Sequence, residues 1–77
     1  MPSLVISQKN FIQILINYGF YKKGDPRGSH QTWAGFIDGA HRRVTVDLHY
    51  KEYSRELLSH MIRQSGIPKN VFRDFKK

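Results

Sequence analysis

The apolar residues of this chain change their spacing twice, and this change restricts the fold more than any other feature. In residues 7–18, SQKNFIQILINY, they recur at intervals of three and four, which describes one face of an α-helix. In residues 42–49 they alternate with polar residues, as in a strand with one buried and one wet face. The helical interval returns in residues 54–66. The residues expected to face the core are Phe11, Ile14, Leu15, Tyr18, Val44, Val46, Leu48, Leu57, Leu58, Met61 and Ile62.

Capping residues stand at the ends of both predicted helices. Ser7 and Ser54 can accept hydrogen bonds from the free amides of a first helical turn. Gly19 and Gly66 suit the left-handed conformation in which helices commonly end. Pro68 can begin a short terminal turn. The residues of this turn expected to fold back on the core are Val71, Phe72 and Phe75.

Three strands are predicted between the helices. Residues 20–23 form a short strand candidate, and the segment GDPRGS that follows is typical of a loop. Residues 30–36 and 42–49 flank Asp38-Gly39, a dipeptide favoured in tight hairpin turns. The predicted order is therefore α-β-β-β-α with a terminal turn. Since 77 residues support one core, residues 1–77 are predicted to be a single α+β two-layer sandwich with both helices on one sheet face.

The charge balance indicates an anionic partner. Thirteen Lys and Arg residues against six Asp and Glu give a net charge of +7, and the aromatic content indicates that a folded domain carries this charge. The absence of cysteine excludes disulfides, thiolate metal sites and a cysteine nucleophile. The apolar run at residues 4–6 is too short for a signal peptide or a membrane span, so a soluble, cytoplasmic protein is expected.

His30 is the candidate catalytic residue. If Trp33 points into the core beside Gln31, the period of two directs His30, Thr32 and Ala34 to the uncovered face of the sheet. Cations near a histidine favour the neutral imidazole, which can take a proton from a ribose 2′-hydroxyl. Such a reaction needs no metal or other cofactor and is specific for RNA. The residues expected to surround His30 and bind RNA phosphates are Lys22, Lys23, Arg27, Ser29, Arg42 and Arg43.

The sequence leaves several alternatives open. From spacing alone His30 can also be an ordinary surface histidine, and His49 is either an assisting acid or a loop residue. His41, His49 and His60 lack metal-ligand spacing. The tyrosines that either stack on unpaired bases or complete the core are Tyr21, Tyr50 and Tyr53.

Two other classes of function are compatible with this composition. A non-catalytic RNA-binding domain would use the same charge and sheet. A protein-interaction domain would dock an acidic partner on its basic surface.

At residues 19–33, GFYKKGDPRGSHQTW, the chain resembles the HicA toxins of bacterial toxin-antitoxin pairs. The resemblance implies a fold like that of double-stranded-RNA-binding domains and an mRNA interferase, which is an endoribonuclease with His30 as its cleaving residue. It also implies a HicB-type antitoxin that covers His30 and neutralises the charge. The similar segments are Gly19-Phe20, Gly28-Ser29-His30, Asp38-Gly39, RRVTV at 42–46 and LLSHMIRQSGIP at 57–68.

The chain departs from the HicA pattern at two places. The family often has proline where Asp47 stands, and commonly Gly-Thr-Leu where this chain has Arg55-Glu56-Leu57. Both departures lie outside the Gly28-Ser29-His30 motif, so the expected role of His30 is unaffected.

Overall fold

The computed structural model describes residues 5–75 and confirms the α-β-β-β-α order. Within residues 5–75 there are two antiparallel sheets, one with the order β2-β3-β4 and one formed by β1 and β5. The sequence does not predict β1 and β5, because each has only two residues and its partner strand is distant in the sequence. The elements are β1 (Ile6–Ser7), α1 (Gln8–Asn17), β2 (Tyr21–Lys22), β3 (His30–Ile37), β4 (Ala40–Asp47), β5 (Glu52–Tyr53), α2 (Arg55–Ser65) and α3 (Lys69–Arg73).

The helices begin and end close to the predicted residues. Ser7 Oγ accepts a hydrogen bond from the backbone N–H of Asn10 at 3.1 Å. Gly19 and Gly66 have φ angles of 83° and 73°, the left-handed conformation expected of them. Ser54 occupies the cap position of α2, but its side chain makes no capping bond. No helix within residues 5–75 is long and apolar enough to cross a membrane.

The core lies between one face of the three-stranded sheet and the helices. Trp33, Val44 and Val46 are buried on this face. The predicted core is mostly confirmed, but Tyr18 and Leu48 are 40% and 36% exposed. Both lie just outside a regular element, where its periodicity no longer directs the side chain inward. The helical residues packed in the same core are Phe11, Ile14, Leu15, Leu58, Met61 and Ile62.

The turn at Asp38 and Gly39 determines the register of the hairpin. Both residues are left-handed, with φ angles of 52° and 79°, as a two-residue type I′ turn requires. β4 therefore begins at Ala40 directly after the turn, and not at residue 42 as predicted. Counting outward from the turn pairs His30 with Asp47 at the far end of the hairpin.

The terminal turn forms as predicted. α3 follows Pro68 and buries Phe72, whose ring stacks on Phe11 with the centroids 5.1 Å apart. Phe11 also meets the ring of Tyr53 edge to face at 5.8 Å. These three rings join α1, β5 and α3 beneath the sheet.

Candidate functional site

The face of the three-stranded sheet opposite the helices carries the predicted catalytic residue. Residues directly paired across antiparallel strands point to the same face. Trp33 and Val44 pair on the helix side, so their sequence neighbours point to the other side, called here the open face. Its four rows are His30–Asp47, Lys23–Thr32–Thr45, Tyr21–Ala34–Arg43 and Phe36–His41.

His30 stands at one end of the open face as the first residue of β3. Its side chain is 57% exposed, so a substrate can reach the imidazole. Nε2 lies 3.8 Å from Oδ2 of Asp47, whose side chain is 19% exposed. A carboxylate therefore lies beside His30, which the sequence did not predict.

Asp47 is held in place by bonds to its side chain and its backbone. Its Oδ1 accepts a hydrogen bond from the backbone N–H of His49 at 2.9 Å, and its carbonyl oxygen accepts one from the Tyr53 hydroxyl at 2.6 Å. Sequence reasoning missed Asp47 as a neighbour of His30. The usable signal was the Asp38-Gly39 turn, because a two-residue turn places residue 47 opposite residue 30.

Tyr53, which donates a hydrogen bond to the Asp47 backbone, should make the free energy of unfolding depend on pH. Burial, followed by the charge of Asp47, raises the pKa of Tyr53 from 10.0 to about 12, and a hydrogen bond with Gln8 opposes this rise. Between these values the unfolded chain loses the phenolic proton and the folded chain keeps it. The free energy of unfolding of the wild type should therefore fall as pH rises from 10 to about 12.

Replacing Tyr53 by phenylalanine should remove both the bond and the pH dependence. Near pH 8 we expect a loss of about 1–3 kcal/mol, because the Asp47 carbonyl loses its donor. The difference from the wild type should then narrow above the ordinary tyrosine pKa of 10.0. Urea unfolding of both proteins from pH 8 to about pH 12 measures this difference in the free energy of unfolding. A difference that stays constant with pH would contradict the buried, neutral state of Tyr53.

A second tight turn places His30 at the end of β3. Arg27 and His30 exchange backbone hydrogen bonds of 2.8 and 3.0 Å around Gly28 and Ser29. Gly28 has a φ of 59°, which glycine adopts readily. The Ser29 carbonyl accepts a bond from the backbone N–H of Leu48, which joins this turn to the end of β4. The Gly28-Ser29-His30 sequence therefore has a structural reason, and it brings the Arg27 backbone next to His30.

The predicted cations divide between the two faces of the sheet. Lys23 and Arg43 lie on the open face. Lys22 pairs with Trp33 and Arg42 with Gly35, so both point to the helix side. The expectation that all of the cations gather around His30 is therefore wrong for Lys22 and Arg42.

The Arg42 side chain has a structural position against Gly66. A Cβ atom at Gly66 would come within 2.6 Å of the Arg42 Nε, so the guanidinium packs on the glycine at the end of α2. Within residues 5–75 this buried Nε has no hydrogen-bond partner.

The other histidines are distributed over separate elements. His41 lies against Phe36 at the hairpin end of the open face, with the ring centroids 5.2 Å apart. His49 follows β4 and meets Tyr50 edge to face at 4.9 Å. His60 is exposed on α2. Among residues 5–75, no group of three or more His, Asp or Glu side chains is arranged to hold a metal ion.

The exposed aromatic residues differ from those expected. Tyr53 is fully buried, so its interpretation as a base-stacking residue is wrong. Tyr21 and Tyr50 are 55% and 50% exposed. Phe36, which the sequence did not single out, is 64% exposed on the open face. A signal was present, because Phe36 is an even number of residues from His30 along one strand.

Comparison with known proteins identifies a family that matches most of the chain. The family model described as the HicA toxin of bacterial toxin-antitoxin systems matches residues 9–67. The matched segment runs from the first turn of α1 to the residue after Gly66 and includes the whole three-stranded sheet. No curated protein and no solved structure matches the chain.

Proposed function

Because the chain belongs to the HicA toxin family of bacterial toxin-antitoxin systems, we propose that it is an endoribonuclease that cleaves mRNA with His30 as the general base. The observation that carries this proposal is the exposed imidazole of His30 on a sheet face that also presents Lys23 and Arg43. Membership of a toxin-antitoxin family also implies pairing with an antitoxin. We further propose that the substrate is RNA and that the antitoxin is of the HicB type.

The proposed reaction uses the ribose 2′-hydroxyl as the nucleophile. His30 takes the hydroxyl proton, the 2′-oxygen bonds to the adjacent phosphorus, and the bond from phosphorus to the 5′-oxygen breaks. The leaving oxygen takes a proton from solvent, so the products are a 2′,3′-cyclic phosphate and a 5′-hydroxyl. Lys or Arg side chains stabilise the charge on the phosphorane. Every step uses a side chain or water, so the proposed reaction is independent of metal and of other cofactors.

Asp47 has a positioning role in this reaction. Its carboxylate lies 3.8 Å from His30 Nε2 and is fixed by its own hydrogen bond from His49. A fixed carboxylate beside an imidazole orients the ring and stabilises the imidazolium formed when the ring takes a proton. Asp47 touches no reacting atom in this scheme, so its effect on the rate acts through His30.

The antitoxin is proposed to be of the HicB type and to cover His30. An exposed catalytic residue in a chain of net charge +7 favours a partner that supplies acidic residues and blocks access. Adding the antitoxin to the purified toxin should then suppress RNA cleavage and RNA binding together. Cleavage at an unchanged rate in the complex would contradict this arrangement.

The reaction class can be tested on the purified chain with two matched RNAs. One is an ordinary single strand, and the other carries 2′-O-methyl groups throughout. We expect cleavage of the first to cyclic phosphate ends and no cleavage of the second, because the methyl group removes the nucleophile. Cleavage of both would overturn the mechanism. Salt-dependent binding without cleavage of either would instead assign the chain to the non-catalytic RNA-binding class.

Lys22 and Lys23 form a matched pair for testing which face binds RNA. Both are exposed, and each substitution to glutamine removes one charge, but only Lys23 lies on the open face. We expect Lys23→Gln to weaken RNA binding and to lower the slope of log affinity against log salt by about 1. Lys22→Gln should leave that slope close to the wild-type value. Fluorescence anisotropy at several salt concentrations measures both, and equal effects would show that net charge alone determines binding.

A further inference from the structure

The hairpin end of the open face carries exposed aromatic rings that cleavage at His30 does not use. Phe36 is 64% exposed and Tyr21 is 55% exposed. The His41 ring lies 5.2 Å from that of Phe36, at an angle of 58°. Ala34, which lies in the same row as Tyr21, is fully buried. A ligand that covers these rings removes their apolar surface from water, which is favourable. The patch therefore indicates a binding surface.

The charges around these rings identify the chemistry of a ligand. Arg43 lies in the same row as Tyr21, and Lys23 in the next row toward His30. Among the paired residues of the open face, Asp47 is the single carboxylate, and it lies at the opposite end. Flat rings beside cations suit a chain in which flat bases alternate with phosphates. An acidic protein would match the cations but would leave the exposed rings without a role.

We propose that Tyr21, Phe36 and His41, the aromatic platform, bind unpaired bases of single-stranded RNA by stacking while a phosphate of the same strand lies at His30. This inference rests on the proposed function and names its substrate as single-stranded RNA. Phe36 is six residues from His30 along β3, which at strand geometry is about 20 Å. The RNA therefore runs along the strands, and the stacked bases lie several nucleotides from the cleaved bond. Bases within a duplex are stacked on each other and are not available to the platform.

The test uses the His30→Ala protein, so that RNA stays intact during binding. The probe is a single-stranded RNA long enough to span the open face, with 2-aminopurine at successive positions, and its duplex is the comparison. Phe36→Leu keeps an apolar side chain but loses the ring, and Phe36→Trp keeps a ring. Ile16→Ala removes a 49% exposed apolar side chain from α1 and serves as the control.

We expect Phe36→Leu to weaken single-strand binding by about 5- to 150-fold and to abolish the quenching of 2-aminopurine at some positions. Phe36→Trp and Ile16→Ala should bind like the parent protein, and duplex binding should change little in all variants. Tyr21→Leu should give the same direction of change as Phe36→Leu. Circular dichroism should show that each variant is folded, because both rings are exposed.

Two outcomes would overturn the aromatic platform. The first is unchanged single-strand affinity in both Phe36→Leu and Tyr21→Leu. The second is that these two variants no longer bind the antitoxin but still bind RNA with the parent affinity. That result would make the patch a protein-docking surface. Failure of the proposed function is distinguishable from both. In that case the protein with His30 intact binds single-stranded RNA through the platform but does not cut it.

Discussion

Replacing His30 with alanine is expected to slow RNA cleavage by about 10²- to 10⁴-fold and to abolish growth arrest in a bacterial host. The reason is that His30 is the proposed acceptor of the 2′-hydroxyl proton. The substitution should leave the fold intact, because the side chain is 57% exposed and lies at the first position of β3. Single-turnover cleavage by the purified proteins measures the rate. Growth under tight induction, with a reporter mRNA followed by northern blot, measures the effect in cells.

Three controls separate chemistry from binding in this experiment. His60→Ala removes an exposed histidine from α2 and should keep full activity. Added imidazole should partly restore cleavage by His30→Ala, since it supplies the missing base. Asp47→Asn should lower the cleavage rate without weakening RNA binding, as a positioning role requires. If the wild type and His30→Ala arrest growth equally, RNA binding causes the arrest and the catalytic proposal fails.

The sequence predicts those parts of the fold in which the spacing of apolar residues repeats several times. α1, α2 and the hairpin were found because their apolar residues repeat often enough to distinguish intervals of three and four from two. Gly19, Gly66 and the Asp38-Gly39 turn were correctly interpreted, because their backbone conformations favour these residues. The position of His30 on the open face followed from alternation with Trp33 alone.

The relations across strands were harder to predict. The hairpin register depends on whether the turn has two residues or more. With the predicted strand ends at residues 36 and 42 the register is offset by one residue, which hides the pairing of His30 with Asp47. Lys22 and Arg42 are next to residues of the open face in sequence, yet pairing places them on the other side of the sheet. β1 and β5 pair residues 6–7 with 52–53, and such a distant contact between short segments has no local sequence signal.

Contacts between residues distant in the sequence also stabilise the core, and the Phe11 ring makes two of them. Phe11→Ala should cost about 3–5 kcal/mol, because the ring is fully buried and alanine leaves a cavity. Phe11 touches the rings of both Tyr53 and Phe72, so the substitution loosens α1, β5 and α3 at once. A domain of this size has roughly 4–12 kcal/mol of stability in total, so the loss is a large part of it. Urea unfolding measures the change.

The matched control for Phe11 is Ile16→Ala on the same helix. Ile16 is 49% exposed, so its replacement should change the free energy of unfolding by less than about 0.5 kcal/mol. Phe11 lies beneath the sheet and away from the open face, so RNA cleavage by Phe11→Ala should fall only in proportion to the unfolded fraction. Cooling or an added osmolyte should restore RNA cleavage by Phe11→Ala. Neither treatment should restore cleavage by His30→Ala. If Phe11→Ala is as stable as the wild type, the packing of the Phe11, Tyr53 and Phe72 rings is contradicted. If RNA cleavage stays low when the variant is fully folded, Phe11 also shapes the site.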